Sequence, residues 1–248
     1  MKKFILLFLI IITLLAGCKQ QDTPQIVATT LPVYEFTAAL CEGTDIAVSR
    51  LVSENVSCLH DYSLQVSQLR TIEDAHVVVL SGAGLEDFLT DVISKADCVI
   101  DASENVMLSD GHNHEGHSHE ADPHIWLSPE NAKQMCTTIC AELSAIYPAH
   151  RTQFETNLAN LLSQLDDLQA YGDNALKNLQ CNELITFHDG FAYFAESYGL
   201  HILKAVEEES GSEASAKELT ELIDIVNSRK LPAIFTQVNG STSAAQIV

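Results

Sequence analysis

From Phe154 to Ala175, apolar side chains return at steps of three and four: Phe154, Leu158, Leu161, Leu165, Leu168, Tyr171 and Ala175. That period sets them on one stripe of an α-helix. The spacing predicts one helix from Ala149 to about Leu179, roughly 46 Å long at 1.5 Å per residue. So long a helix exceeds what one small domain buries, which leaves a coiled-coil arm or a rigid connector between two folded units. The stripe lasts about three heptads and strand patterns resume beyond it, which favours the connector.

Strand and helix patterns alternate on the near side. Ile26 to Thr30 is a β-rich run, followed by Pro32 at a helix start and apolar positions through Leu40. Asp45 to Val52 reads as a second strand and Leu64 to Ala75 as a helix. His76 to Leu80 is an apolar run suited to a strand buried on both faces. Gly82 and Gly84 make a turn, Leu85 to Ala96 reads as a helix, and Cys98 to Ile100 as a fourth strand. This order argues for a parallel sheet covered by helices on both sides. A helix from Pro129 to Tyr147 then leads to the connector. Beyond the connector, Glu183–Phe187, His201–Val206 and Ala233–Thr236 look like strands, with helices at Phe191–Tyr198 and Ser215–Ser228. The expected fold is therefore α/β, with two βα lobes of parallel sheet joined by one long helix. The second lobe, stopping at Val248 within a helix that begins near Ser241, reads as incomplete.

Lys2-Lys3 and the apolar stretch Phe4 to Ala16 form a targeting segment, too short for the ~20 residues a spanning helix needs. The run ends in Leu15-Ala16-Gly17-Cys18, which resembles a bacterial lipobox. That resemblance implies cleavage before Cys18, lipidation of the cysteine and an anchor at the membrane surface. The layout expected is a signal peptide over 1–17, a polar tether over 18–25, a first lobe over 26–128 and connecting helices over 129–180. The second lobe then occupies 181–248. The formal charge of −21 disfavours nucleic acid and anionic lipid as partners and is compatible with a cationic ligand. Cys41, Cys58, Cys98, Cys136, Cys140 and Cys181 contain no CxxC pair, and most read as small buried hydrophobes.

The chemistry concentrates in histidine. His60, in Leu59-His60-Asp61-Tyr62-Ser63-Leu64, precedes a helix. So does His124, in Asp122-Pro123-His124-Ile125-Trp126-Leu127-Ser128-Pro129. His188 ends the strand Leu184-Ile185-Thr186-Phe187 and is followed by Asp189-Gly190. Each lies in a βα connection or at the carboxyl end of a strand, where open α/β sheets place their ligands. Three imidazoles with one further position suit Zn²⁺. His112, His114, His117 and His119 alternate with small polar residues between Gly111 and Glu120. That composition builds no core and forms a weaker, auxiliary metal-binding loop. His76, His150 and His201 sit in no such pattern and read as structural. A three-histidine zinc could also activate water in a hydrolase, but no HExxH, GxSxG or Gly-rich phosphate loop occurs. The chain is therefore read as a binder rather than an enzyme.

The three histidine motifs, with Phe187-His188-Asp189-Gly190-Phe191-Ala192-Tyr193-Phe194 as the third, resemble the zinc-binding branch of the ABC-transporter solute-binding proteins, cluster A-I. The resemblance covers nearly all of Ile26 to Val248. It implies two α/β lobes joined by one rigid helix, with His60, His124 and His188 holding Zn²⁺ in the cleft between them. It also implies a monomer that delivers the ion to an ABC permease driven by its ATPase subunit, exported and anchored at the membrane surface or in the periplasm. In members that bind manganese or iron, a carboxylate usually replaces the third histidine, so His188 favours zinc. Some relatives of this fold serve as surface adhesin lipoproteins, a second reading of the same pattern. Many members take a fourth ligand from a carboxylate far toward the C-terminus. Gln237 stands where a glutamate is frequent, and the fourth position stays unassigned.

Overall fold

The computed structural model describes residues 25–52, 62–109, 121–207, 215–236 and 243–248. Strands β1 (Gln25–Ala28), β2 (Ala47–Arg50), β3 (Val77–Leu80) and β4 (Val99–Asp101) form one parallel sheet in the order β2-β1-β3-β4. Ile26, Val27, Ala28, Val77, Val78 and Val79 are all fully buried. The two-residue side-chain period explains why. Ile26, Ala28, Val77 and Val79 enter one core with Val33, Leu40, Met135, Ile139 and Phe154, whereas Val27 and Val78 enter another with Leu51, Ile72 and Leu89. Helices therefore cover both faces, as expected for parallel strands without a polar side.

The first core is roofed by α1 (Leu31–Cys41), which follows the extended Thr30 and carries Pro32 in its first turn. Helix α2 (Val66–Glu73) covers the second face, and its Gln68 amide is fully engaged. Oε1 accepts the Gln65 N–H at 2.9 Å, while Nε2 donates to the Leu51 carbonyl at 2.9 Å and to the Tyr62 hydroxyl at 2.7 Å. The helix expected from Leu85 to Ala96 is much shorter: a 3₁₀ turn at Asp87–Leu89 followed by α3 (Thr90–Ile93). Its start is delayed by Glu86, whose side chain turns inward to close the carboxyl ends of β1 and β3. Its carboxylate accepts from Thr29 Oγ1 at 2.6 Å, the Ser81 N–H at 2.7 Å and the Gly82 N–H at 3.0 Å. Burial pushes this carboxyl up to about 7, against the pull of those three donors.

Helix α4 (Pro129–Ile146) starts at Ser128, whose hydroxyl accepts the Asn131 N–H at 3.4 Å. A 3₁₀ turn over Pro148–His150 then feeds α5 (Arg151–Leu176), 26 residues and about 39 Å long. The connector is real but shorter than the expected span of 149–179. Its first half packs on the first lobe through Phe154, Leu158, Leu161 and Leu165, and further along the buried Gly172 lies against the ring of Tyr198. Leu168 and Tyr171 on the same stripe are exposed, because the helix there has left the α4 surface.

Beyond it, β5 (Glu183–His188) pairs in parallel with β6 (His201–Glu207), separated by α6 (Ala192–Ser197). The strand expected at Ala233–Thr236 is reduced to a single parallel bridge between Phe235 and Thr186. Ile185, Phe187, Val206, Leu222 and Leu231 form the core of this lobe. Leu222 comes from α7 (Ala216–Arg229), which a Ser215–Glu218 capping box opens and left-handed Lys230 closes. A last short helix, α8, covers Ser243–Ile247. Among the described residues no helix is long and apolar enough to cross a membrane. Cys41, Cys136 and Cys140 are buried free thiols, and burial pushes Cys41 and Cys136 up to about 12, as fits inert core residues.

Candidate metal centre

His188 is the last residue of β5, and His124 precedes the 3₁₀ turn Ile125–Leu127 that leads into α4. The two come from opposite sides of the connector and meet: their Nε2 atoms lie 3.0 Å apart. The rings are edge-on, with centroids 4.8 Å apart and planes at 82°. Both side chains are largely withdrawn from solvent.

Asp122 holds His124 in place. Its Oδ1 accepts the His124 Nδ1–H at 2.8 Å and the His124 backbone N–H at 2.9 Å. Burial works to raise this carboxyl, but the hydrogen bonds from His124 and the nearby His188 outweigh it and hold it below the usual carboxylate range. In the neutral form of His124 that donates Nδ1–H to Asp122, Nε2 carries the lone pair and the 3.0 Å contact takes its hydrogen from Nε2 of His188. The Trp126 ring lies 5.4 Å from the His124 ring and narrows its freedom further. Asp122 stood inside the Asp-Pro-His motif without a role assigned from sequence; a carboxylate two residues before a histidine was the available signal.

The two imidazoles suit a small tetrahedral cation. Bonds of 2.0–2.1 Å to zinc at a tetrahedral angle put two nitrogens about 3.3 Å apart, so little movement separates the observed 3.0 Å from a liganded pair. Among the described residues, no third histidine, cysteine or carboxylate completes a metal-binding group. His60, the loop histidines His112, His114, His117 and His119, the lipidation candidate Cys18, and Gln237 all lie outside the described residues. His76 is structural, its Nδ1 2.8 Å from the Tyr147 hydroxyl, and His150 pairs with Asp45 at 3.0 Å.

The turn around the site joins the two lobes. Tyr193 on α6 accepts the Ser109 N–H at 3.0 Å from the first lobe, and the Ile125–Leu127 turn packs on the same helix. Phe194 on α6 and Tyr198, the residue that caps its end, stack edge-on at 5.1 Å.

Comparison with known proteins gives a consistent picture. The family described as ZnuA, zinc-uptake complex component A, periplasmic, matches residues 26–248. The chain is 29% identical over 276 residues to the zinc-binding protein AdcA of Streptococcus pyogenes, covering 99% of this chain and 53% of that protein. It is 30% identical over 263 residues to the zinc-binding lipoprotein AdcA of Streptococcus pneumoniae, covering 99% and 52% respectively. The chain thus spans about half the length of these curated relatives. The crystal structure of ZnuA superposes with a TM-score of 0.81 at 31% identity, covering 91% of this chain and 86% of that one. The two-lobe α/β fold with one long helix is therefore the fold of this chain.

Proposed function

We propose, because this chain belongs to the zinc-uptake complex component A family, that it captures Zn²⁺ outside the cytoplasmic membrane and delivers it to an ABC permease powered by its ATPase subunit. Zinc is the cargo, and the chain binds it without turnover. The observation that carries this reading is the pair of imidazole Nε2 atoms, 3.0 Å apart, supplied by two lobes and aligned on one side by Asp122.

His124 offers its lone pair as it stands. His188 must give up its Nε2 proton before it can ligate, so ion capture replaces an N–H···N hydrogen bond with two N–metal bonds. His60 is the third ligand in this reading, brought by the segment before α2, and His112, His114, His117 and His119 form a weaker loop that raises the local ion concentration. Nitrogen at all three positions selects Zn²⁺ over Mn²⁺, which prefers oxygen. Cys18, lipidated after signal cleavage, anchors the protein at the membrane surface. Zinc titration against a chelator of known strength tests the reading: His60→Ala, His124→Ala and His188→Ala should each lose affinity by orders of magnitude. Retention of wild-type affinity by His124→Ala and His188→Ala would place the site elsewhere.

A further inference from the structure

Among the described residues beyond the connector, Tyr193 alone enters the core of the first lobe. Its ring is buried in the cluster that holds Ile26, Val33, Ile125 and Met135. At the tip of the ring, the hydroxyl accepts the Ser109 N–H at 3.0 Å. Burial pushes this phenol up, so it is a neutral hydroxyl near pH 7. Ser109 belongs to the segment that leaves β4, and that segment is fixed to the first lobe. Thr138 Oγ1 donates to the Glu104 carbonyl at 3.0 Å, and Val106 packs against the same core. One turn further along α6, Glu196 accepts from the Ser109 hydroxyl at 3.5 Å. Tyr193 lies shortly after His188, with α6 starting between them, so any withdrawal of His188 from His124 carries Tyr193 with it.

From this geometry we propose that Tyr193 is a positioning residue: it latches the second lobe onto the first beside the two imidazoles, and so sets how fast an ion enters and leaves. The inference rests on the reading of His124 and His188 as zinc ligands. An ion held by nitrogens from two lobes leaves when one histidine draws back, and that motion pulls Tyr193 away from the first core and off Ser109. The latch involves no ligand atom, so it holds the lobes equally with an ion between the histidines and without one. The same barrier is crossed in both directions, so losing the latch speeds entry and exit together and leaves affinity nearly unchanged.

The test is Tyr193→Phe in the full chain, which keeps the buried ring and removes only the acceptor. Zinc release is timed by stopped flow into excess chelator, and the dissociation constant is measured by competition. Release should be about three- to tenfold faster, the effect of one neutral hydrogen bond, with the dissociation constant within about twofold of wild type. Thr44→Ala is the control. It removes a bond of the same kind in the turn between α1 and β2, where Thr44 Oγ1 donates to the Cys41 carbonyl at 2.7 Å, and should leave release unchanged. Wild-type release from Tyr193→Phe would overturn the proposal. So would a dissociation constant that rises as much as the release rate, because the hydroxyl would then stabilise only the loaded site. Equal acceleration in Thr44→Ala would overturn it as well, by making the effect one of general stability. His188→Ala, measured alongside, separates the two levels: wild-type zinc affinity in that variant overturns the ligand assignment itself, whatever Tyr193→Phe does.

Discussion

A single oxygen of Asp122 fixes His124 twice, accepting its ring Nδ1–H at 2.8 Å and its backbone N–H at 2.9 Å. The ring contact sets the tautomer, and the backbone contact sets the direction from which the ring enters the cleft.

Asp122→Ala should therefore weaken zinc binding by about 10- to 100-fold, the usual effect of losing the carboxylate behind a metal-binding imidazole. Asp122→Asn should fall between this variant and wild type, because its amide oxygen still accepts from Nδ1–H but carries no charge. Isothermal titration of both variants checks the order. Equal affinity in wild type and Asp122→Ala would mean that His124 is aligned by packing alone.

The extent to which this site was legible in sequence has a physical explanation. His124 and His188 were recognisable because each follows a pattern local to its own segment, a strand end or a helix start, and the fold then brings those ends together. The strands of the first sheet were legible because burial on both faces leaves continuous apolar runs such as Val77–Leu80. The shortened helix after β3 was not, because Glu86 reads as an ordinary first-turn acid until the sheet supplies Thr29, Ser81 and Gly82 as its donors. Leu158, Leu161 and Leu165 on α5 and the exposed Leu168 and Tyr171 carry the same periodicity, and only the end of the α4 surface distinguishes them.

Zinc affinity should fall on acidification. A histidine ligates only through a deprotonated nitrogen, so protons compete with the ion for His124 and His188. Between about pH 7.5 and 5.5 the dissociation constant should rise by an order of magnitude or more. Competition titrations at fixed ionic strength measure it, and an affinity independent of pH over that range would argue against histidine ligation.

Glu86 makes the stability of the metal-free protein pH-dependent in the opposite sense to a salt-bridged acid. Its carboxyl is pushed up to about 7 in the fold, from 4.5 as its ordinary value. The protonated form is thus favoured by folding. Its contribution is complete below about 4.5, declines as pH rises through about 7, and is flat above, a change on the order of 3 kcal/mol. Urea denaturation in the presence of a chelator should show this decline. In Glu86→Gln the midpoint should be less pH-dependent, while the amide NH₂ now opposes the Gly82 N–H and lowers stability at the acid end. An unchanged pH profile in the variant would assign the dependence to other groups.

Gly172 offers the sharpest test of how the connector meets the second lobe. In an exposed helix, Gly→Ala is stabilising by up to about 1 kcal/mol, because alanine has the better helix propensity. Gly172 is buried within α5, and a Cβ there would run into the ring of Tyr198, reaching 2.6 Å from its hydroxyl oxygen. The ring is also stacked on Phe194, so it has no simple retreat. Overpacking of this kind usually costs about 1–3 kcal/mol, which outweighs the propensity gain. Gly172→Ala should therefore lower stability in the wild-type background. In a Tyr198→Ala background the obstacle is gone and the same substitution should raise it. This reversal of sign is read directly from a double-mutant cycle of chemical denaturation midpoints. Stabilisation by Gly172→Ala in both backgrounds would show that the tyrosine moves aside freely and that the notch at Gly172 does not fix the docking of α6 on the connector.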